Sequence, residues 1–446
     1  MRVGKLCSHA PLSDVPAVQV TSQPQSPDAA AIAALAAGLR QQDPKLQTQA
    51  ASAIHELAAL PHLRQPLAFA LLPDLISLLG NACNPVGRSM AAAVAGRFAS
   101  EPELSQLVAA QALPGLNMLV GDASHPAGRE QAAEVMYELA THAGLKQLLV
   151  AVSLPALVGL LEDAPSPAGG YWAAGALQHL ATAPELRQPI ASQALPALTN
   201  LLDPTGSPRE RRRAAGALAQ LARDPARRQP VAQAALPALI NLREDTAGAS
   251  ARQRAAEAIA ELAVDPELQE LVAGAALPGL GSLLQDVRYP DGRREAAVAV
   301  WRLTGASGLR QAVAELKLEG LVSCLDSGEE ALCSGSVTRT LKRLARVPAL
   351  QQRIAPKLLP ALVRVMQGAH TVTCSRQACS VLCALADAPA LGQLILDASL
   401  PALSILLEHT SDSNGKLEAA ATLHKLACDP ALRRQIDRQN LALKCA

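Results

Sequence analysis

Aromatic side chains are nearly missing from this chain of 446 residues, which has two Phe, three Tyr and two Trp. An all-β core draws on aromatic and β-branched residues, so the shortage argues against one. Charge of one sign is missing as well. Lys and Arg number 40, Asp and Glu 39, and the formal net charge is +1. No global field is present to draw in nucleic acid or anionic lipid, and no nucleic-acid partner is expected. No run of about 18 uninterrupted apolar residues occurs, so no membrane span is expected. The nine cysteines are odd in number and scattered, without a CxxC pair. Reduced thiols in a cytosolic-type compartment are expected, not a disulfide framework.

Catalytic signatures are missing too. The chain has no phosphate loop, no nucleophile elbow and no dinucleotide glycine motif. His55-Glu56-Leu57 lacks the second His of a zinc-protease helix. The histidines fall at scattered positions, without a partner series for a triad. Cys379 and Cys383 are one helical turn apart, near Cys374 and His370. They could touch a metal, but Cys379 sits where the chain elsewhere places small apolar residues, and free Cys behaves as a small buried hydrophobe. No catalytic residue, metal or cofactor is expected. Residues 1–28 hold no apolar run long enough for a secretory signal. Their Ser, Pro, Gln and Val content reads as a disordered tail. Arg2 stands where myristoylation requires Gly. A cytoplasmic location is expected, with nuclear location and organelle import left open.

What is present is a period. Leu57, Phe98, Leu139, Leu180, Leu221, Leu262, Leu303, Leu344, Leu385 and Leu426 follow one another at 41 residues. Pro73, Pro114, Pro155, Pro196, Pro237, Pro278, Glu319, Pro360 and Pro401 keep the same step. A fixed period of this length is the mark of stacked repeats, each burying its apolar face only against its neighbours. Half the residues are hydrophobic, and with so few aromatics the core must be Leu, Ala, Val and Ile. Ala and Leu are the strongest helix formers.

The stretch from Pro184 to Ala222 is one repeat. Ala183-Pro184 opens a short helix, as do Glu101-Pro102, Asp224-Pro225, Asp265-Pro266, Ala388-Pro389 and Asp429-Pro430. A cap residue followed by Pro at the first helical position is a helix start, because proline lacks an N–H that would be orphaned there. Pro196 opens a second helix, with Leu195, Leu198, Leu201 and Leu202 on one face. A polar loop through Asp203, Gly206 and Pro208 leads to a third helix, Glu210 to Ala222. Ala214, Ala215, Leu218, Leu221 and Ala222 form its buried stripe. The spacing therefore predicts three helices per repeat. An atypical helix around Ala30 to Leu39 precedes the array as a cap.

The runs Leu400-Pro401-Ala402-Leu403 to Leu407 and Ala214 to Ala222 resemble the armadillo-repeat family, over residues 29–446. The resemblance implies an all-α, right-handed superhelical α-solenoid of about ten repeats. It also implies a monomeric, non-catalytic scaffold or adaptor that binds a partner segment in a concave groove lined by third helices. The sequence departs from the family in two places. The Gly that precedes the second helix is here mostly Ala, Gln or Ser, a drift toward HEAT-like two-helix repeats. The Trp and Asn ladder of the nuclear-import adaptors is replaced by Gly175 and His179, Gly216 and Gln220, or Glu257 and Glu261, so reading of nuclear-localisation signals is not implied.

The groove stripe should hold Gln131, Glu134, Glu138 and Thr141, then Trp172, Gly175, His179 and Thr182. Arg213, Gly216, Gln220 and Arg223 follow, then Arg254, Glu257, Glu261 and Val264, and later Ser336, Arg339, Arg343 and Arg346. Trp172 is placed as an aromatic anchor. Arg213 and Arg223 offer planar donors for a carboxylate or phosphate. Arg339, Arg343 and Arg346 form a basic patch, and Glu134 and Glu138 favour a basic ligand residue. The expected partner is an extended peptide of mixed charge with an acidic or phosphorylated segment. A solvated helix face would carry such charges too, and Trp172 would serve equally as packing. Trp301 is expected in the core. The competing functional reading is a lyase-like helical-repeat enzyme or chaperone acting on a protein or small-molecule substrate.

Overall fold

A computed structural model describes residues 29–438, apart from 164–166, 205, 245–248, 287, 289, 327–334, 368–371 and 410–411. The expected N-terminal tail lies outside the described residues. Among those described, 21 α-helices and no strands are found. The chain divides into two compact units, Met1–Val135 and Met136–Ala446, with the boundary inside the helix Pro126–Thr141.

In the first unit, Ala29–Leu39 and Pro44–Leu57 open the array. They are followed by Pro61–Leu79, Pro85–Ala99 and Pro102–Val120. Asp43 caps its helix by accepting the Lys45 N–H at 2.8 Å, and Asn84 does so for Gly87 at 2.8 Å. The core holds Leu67, Leu71, Leu75, Phe98 and Leu116, all at or near zero exposure. Leu57, first of the periodic series, is only half-buried.

In the second unit two kinds of helix alternate. The longer kind includes Lys146–Glu162, Pro225–Glu244, Gln269–Gln285, Leu309–Asp326, Pro348–Gln367 and Gly392–His409, and Arg187–Asn200 takes the same place behind its 3₁₀ turn Pro184–Leu186. The shorter kind includes Pro167–Leu180, Pro208–Ala222, Ala249–Leu262, Pro290–Leu303, Ser336–Ala345, Val372–Leu385 and Ser413–Leu426. Each helix packs against the next of its own kind and against its partner of the other kind. From Leu139 to Leu426 every member of the leucine series is buried.

The prediction of three helices per repeat is corrected by the structure. Pro73, Pro114, Pro155, Pro196, Pro237, Pro278, Pro360 and Pro401 lie inside helices, not at their starts. The expected first and second helices are one helix, or a 3₁₀ turn running into one, as at Pro184–Leu186 and Pro389–Leu391. Proline removes one ladder bond and crowds the carbonyl four residues back, a cost of about 3 kcal/mol in an isolated helix. Packing on both sides outweighs that preference, and a start signal becomes an interior residue. Asp224 and Asp429 cap helices as expected, accepting the N–H two residues on at 3.0 and 2.8 Å, whereas Asp265 accepts the Glu267 N–H at 3.0 Å within a turn and its helix begins only at Gln269.

Two polar series hold the corners, and both keep the 41-residue step. In the first, a side chain reaches back six residues to an orphan carbonyl at the end of the preceding helix. Arg64 bonds Ala58 O at 2.9 Å, Arg187 bonds Ala181 O at 3.0 Å, and Arg228 bonds Ala222 O at 3.1 Å. Gln269, Arg310 and Gln351 do the same to Ala263, Thr304 and Ala345. In the second, a buried arginine reaches back nine residues: Arg88 to Leu79 O, Arg129 to Val120 O and Arg293 to Leu284 O, at 2.9, 2.8 and 3.0 Å. Helix ends leave such carbonyls unpaired. The repeat meets that need with a long side chain, Arg or Gln, at a fixed place.

Ala143–Glu162 and Pro389–Glu408 are each long and apolar enough to cross a membrane by length and mean hydropathy, although polar residues interrupt both. Half of each window is buried against other helices. A core helix passes the same test of length and hydropathy, and the interior Pro155 and Pro401 belong to the repeat.

Candidate functional site

The shorter helices carry the expected groove residues. Trp172 and Arg213 are one period apart and so occupy equivalent places on Pro167–Leu180 and Pro208–Ala222, which pack side by side. Arg213 does not point open donors outward. Its Nη2 donates to Tyr137 Oη at 3.0 Å and to Tyr171 Oη at 2.9 Å, and its Nη1 to Gln178 Oε1 at 3.4 Å. The guanidinium also lies 4.9 Å from the centroid of each tyrosine ring. Trp172 joins this group at 5.1 Å from Tyr137 and 4.8 Å from Tyr171. His179 meets the Tyr137 ring edge-on at 5.1 Å. Burial, then the charges of Arg213 and Lys146, pull His179 below the ordinary histidine range.

Glycine makes this closeness feasible. A Cβ on Gly175 would stand 2.9 Å from Tyr137 Cδ2, and one on Gly216 would stand 2.8 Å from Gln178 Cδ. Both glycines are buried, so neither belongs to an open stripe. Gln220 and Glu257 are buried as well. Pro167–Leu180, Pro208–Ala222 and Ala249–Leu262 turn those positions toward the adjacent helix, and the open stripe is narrower than the sequence predicts.

Arg223 is likewise committed. It pairs with Glu257 at 3.1 Å and with Glu261 at 3.7 Å. Arg254 adds a bond to Glu257 at 2.5 Å, and Arg302 reaches Glu261 at 3.1 Å. Glu257 and Glu261, expected in the groove stripe, are held by three arginines of their own unit. Glu134 and Glu138 are half-buried and four residues apart on Pro126–Thr141, Glu134 in the first unit and Glu138 in the second.

The Ser336–Ala345 helix differs. Arg339 lies 4.6 Å and Arg343 5.2 Å from the centroid of Trp301. Trp301 is half-buried, with its ring under two cations, so it is not the core residue that was expected. Arg343 Nη1 donates to Trp301 O at 3.0 Å, and Arg310 Nε donates to Thr304 O at 3.1 Å. Both guanidiniums thus converge on the end of Pro290–Leu303. Burial and the neighbouring charges of Arg310 and Arg339 lower the Arg343 pKa from its ordinary value. Among the described residues, no carboxylate pairs with Arg310, Arg339, Arg343 or Arg346. Arg339 and Arg346 are exposed.

Tyr137, Tyr171, Gln178 and Arg310 were missed as site residues. Tyr137 and Gln178 are one period apart, and Arg310 belongs to the corner series of Arg187 and Arg228, so the period held the signal. Cys374, Cys379 and Cys383 are buried in Val372–Leu385, with the Cys379 thiol pushed up to about 12 by burial. Among the described residues no group of His, Cys, Asp and Glu is arranged to hold a metal.

No family model matches the chain, and no curated protein matches it. Among solved structures the fold is similar to a crystal structure from the Northeast Structural Genomics Consortium described as an engineered protein. The TM-score is 0.73 at 23% identity, over 89% of this chain and 98% of that one. A likeness at that identity speaks to the fold alone.

Proposed function

We propose that the chain is a non-catalytic protein-binding scaffold or adaptor, built as an armadillo-like right-handed α-solenoid of about ten repeats. The continuous proline-bearing helices favour the two-helix, HEAT-like form of that repeat. The partner is an extended segment of mixed charge lying across the shorter helices. One observation carries this reading: Arg339 and Arg343 stack on Trp301 without a carboxylate of the protein, although Arg223, Arg254 and Arg302 have theirs. Cations left open over an aromatic face are suited to an acidic partner. Trp172, His179 and Arg213 then act as a rigid aromatic platform in the same unit, with Glu138 as the place of a basic residue.

The test is capture from source cells with the wild-type chain and with R339E/R343E/R346E, followed by cross-link mapping of what is recovered. A partner lost by the variant and cross-linked beside Trp301 supports the reading. A partner held equally by both places binding elsewhere, and no recovered protein counts against a scaffold.

A further inference from the structure

We infer that the cluster of Trp301, Arg310, Arg339 and Arg343 receives a phosphoserine or phosphothreonine side chain of the bound segment. This deepens the scaffold reading and rests on it. The geometry begins with donors. A guanidinium has five N–H groups. Arg343 gives one to Trp301 O and Arg310 one to Thr304 O, while Arg339 is held by the Trp301 ring. The remaining donors have no carboxylate among the described residues.

Charge argues next. Three guanidiniums gather at one helix end, and like charges at such range oppose one another. A single carboxylate would offset one of them. A phosphate monoester brings close to two negative charges and three acceptor oxygens, which match several planar donors at once. The same unit offers a contrast. Around Glu257 and Glu261, two carboxylates sit among Arg223, Arg254 and Arg302. There the protein supplies its own anions. At Trp301 it does not.

Trp301 adds pre-organisation. Stacked guanidiniums keep their forks in place before a ligand arrives, so less rotamer freedom is lost on binding. The patch is also local. The chain as a whole is neutral within one charge, which suits one phosphorylated residue better than a nucleic-acid backbone.

The experiment uses the full chain, immobilised, at about 0.15 M salt, where exposed charges are screened beyond roughly 8 Å. Three short degenerate peptide pools differ only at a central residue, which is phosphoserine, glutamate or serine. The wild-type chain should retain the phosphoserine pool about tenfold more strongly than the other two, the equivalent of about 1.4 kcal/mol. That preference should vanish in R339Q/R343Q. R339Q alone serves as a second variant, because Arg339 is exposed and its substitution leaves the carbonyl bonds of Arg343 and Arg310 intact. Equal retention of the glutamate and phosphoserine pools overturns the inference, as does a preference that survives both variants. Vesicles bearing phosphoinositides retained in place of any peptide pool would also overturn it. In each of these cases the scaffold reading is still decided separately, by the capture experiment.

Discussion

Arg213 holds Tyr137 in two ways: its Nη2 donates to the tyrosine hydroxyl at 3.0 Å, and its guanidinium carbon lies 4.9 Å from the ring centroid. Tyr171 is held in the same manner. Arg213→Ala removes charge-assisted hydrogen bonds and cation–π contacts together, and should cost about 2 kcal/mol. Arg213→Lys should recover only part, because an ammonium has no planar fork to serve two hydroxyls. Urea unfolding measures both. An Arg213→Ala midpoint equal to wild type would show that the clasp contributes nothing.

His179 gives the same cluster a pH dependence. Its folded pKa is lowered by burial first, then by Arg213 and Lys146. The unfolded chain therefore binds a proton more readily than the folded one. Stability is fully present above the unfolded histidine pKa, about 6.5. It falls as pH drops from there toward the folded value. Thermal melts between pH 7.5 and 5.5 should show a shallower decline in His179→Gln than in wild type. Parallel declines would mean that His179 takes no part. His55, lowered by burial and by Arg97, shifts in the same direction in the first unit and is common to both samples.

The repeat step was legible in the sequence because burial is enforced at every turn of it. From Phe98 to Leu426 the series is buried. The proline series misled because a helix-start signal is local, while Pro196 or Pro278 sits in a helix stabilised by neighbours on both sides. The groove stripe was only half legible. Periodicity places Gly175 and Gln220 on the right face but does not reveal that Tyr137 or Arg223 covers them. Pairing is a contact between repeats, and the sequence alone does not say whether Arg223 meets Glu257 or a ligand. The corner series of Arg64, Arg187, Arg228, Gln269, Arg310 and Gln351 was there to be read, but mixed Arg and Gln hid its common purpose.

Glycines in these helices divide into two groups with opposite expected effects. Gly159 and Gly274 lie inside long helices, and a Cβ there would meet nothing within 4 Å. Ala at either place should stabilise by roughly 0.5–1 kcal/mol, through helix propensity and a less free unfolded chain. Gly175 is helical too, but its added Cβ would press on Tyr137 and approach Arg213 Nε at 3.4 Å. Gly175→Ala should lower stability in spite of the propensity gain. Melting temperatures of the three variants decide this, and a stabilised Gly175→Ala would contradict the close packing of the cluster.

Cysteine chemistry separates core from surface. Among the described residues, Cys83 and Cys428 are exposed, while Cys324, Cys374, Cys379 and Cys383 are buried. The thiolate is the reactive form. With its pKa pushed up to about 12 by burial, Cys379 is almost wholly protonated at neutral pH. Brief alkylation of the folded chain, followed by peptide mass spectrometry, should mark Cys83 and Cys428 and spare Cys324, Cys374, Cys379 and Cys383. In denaturant these four should react as well. Fast labelling of Cys379 in the folded chain would mean that its helix opens locally, and would reopen the question of chemistry at Cys374, Cys379 and Cys383. Protection until global unfolding would leave them as small apolar residues in the position that alanine fills elsewhere in the repeat.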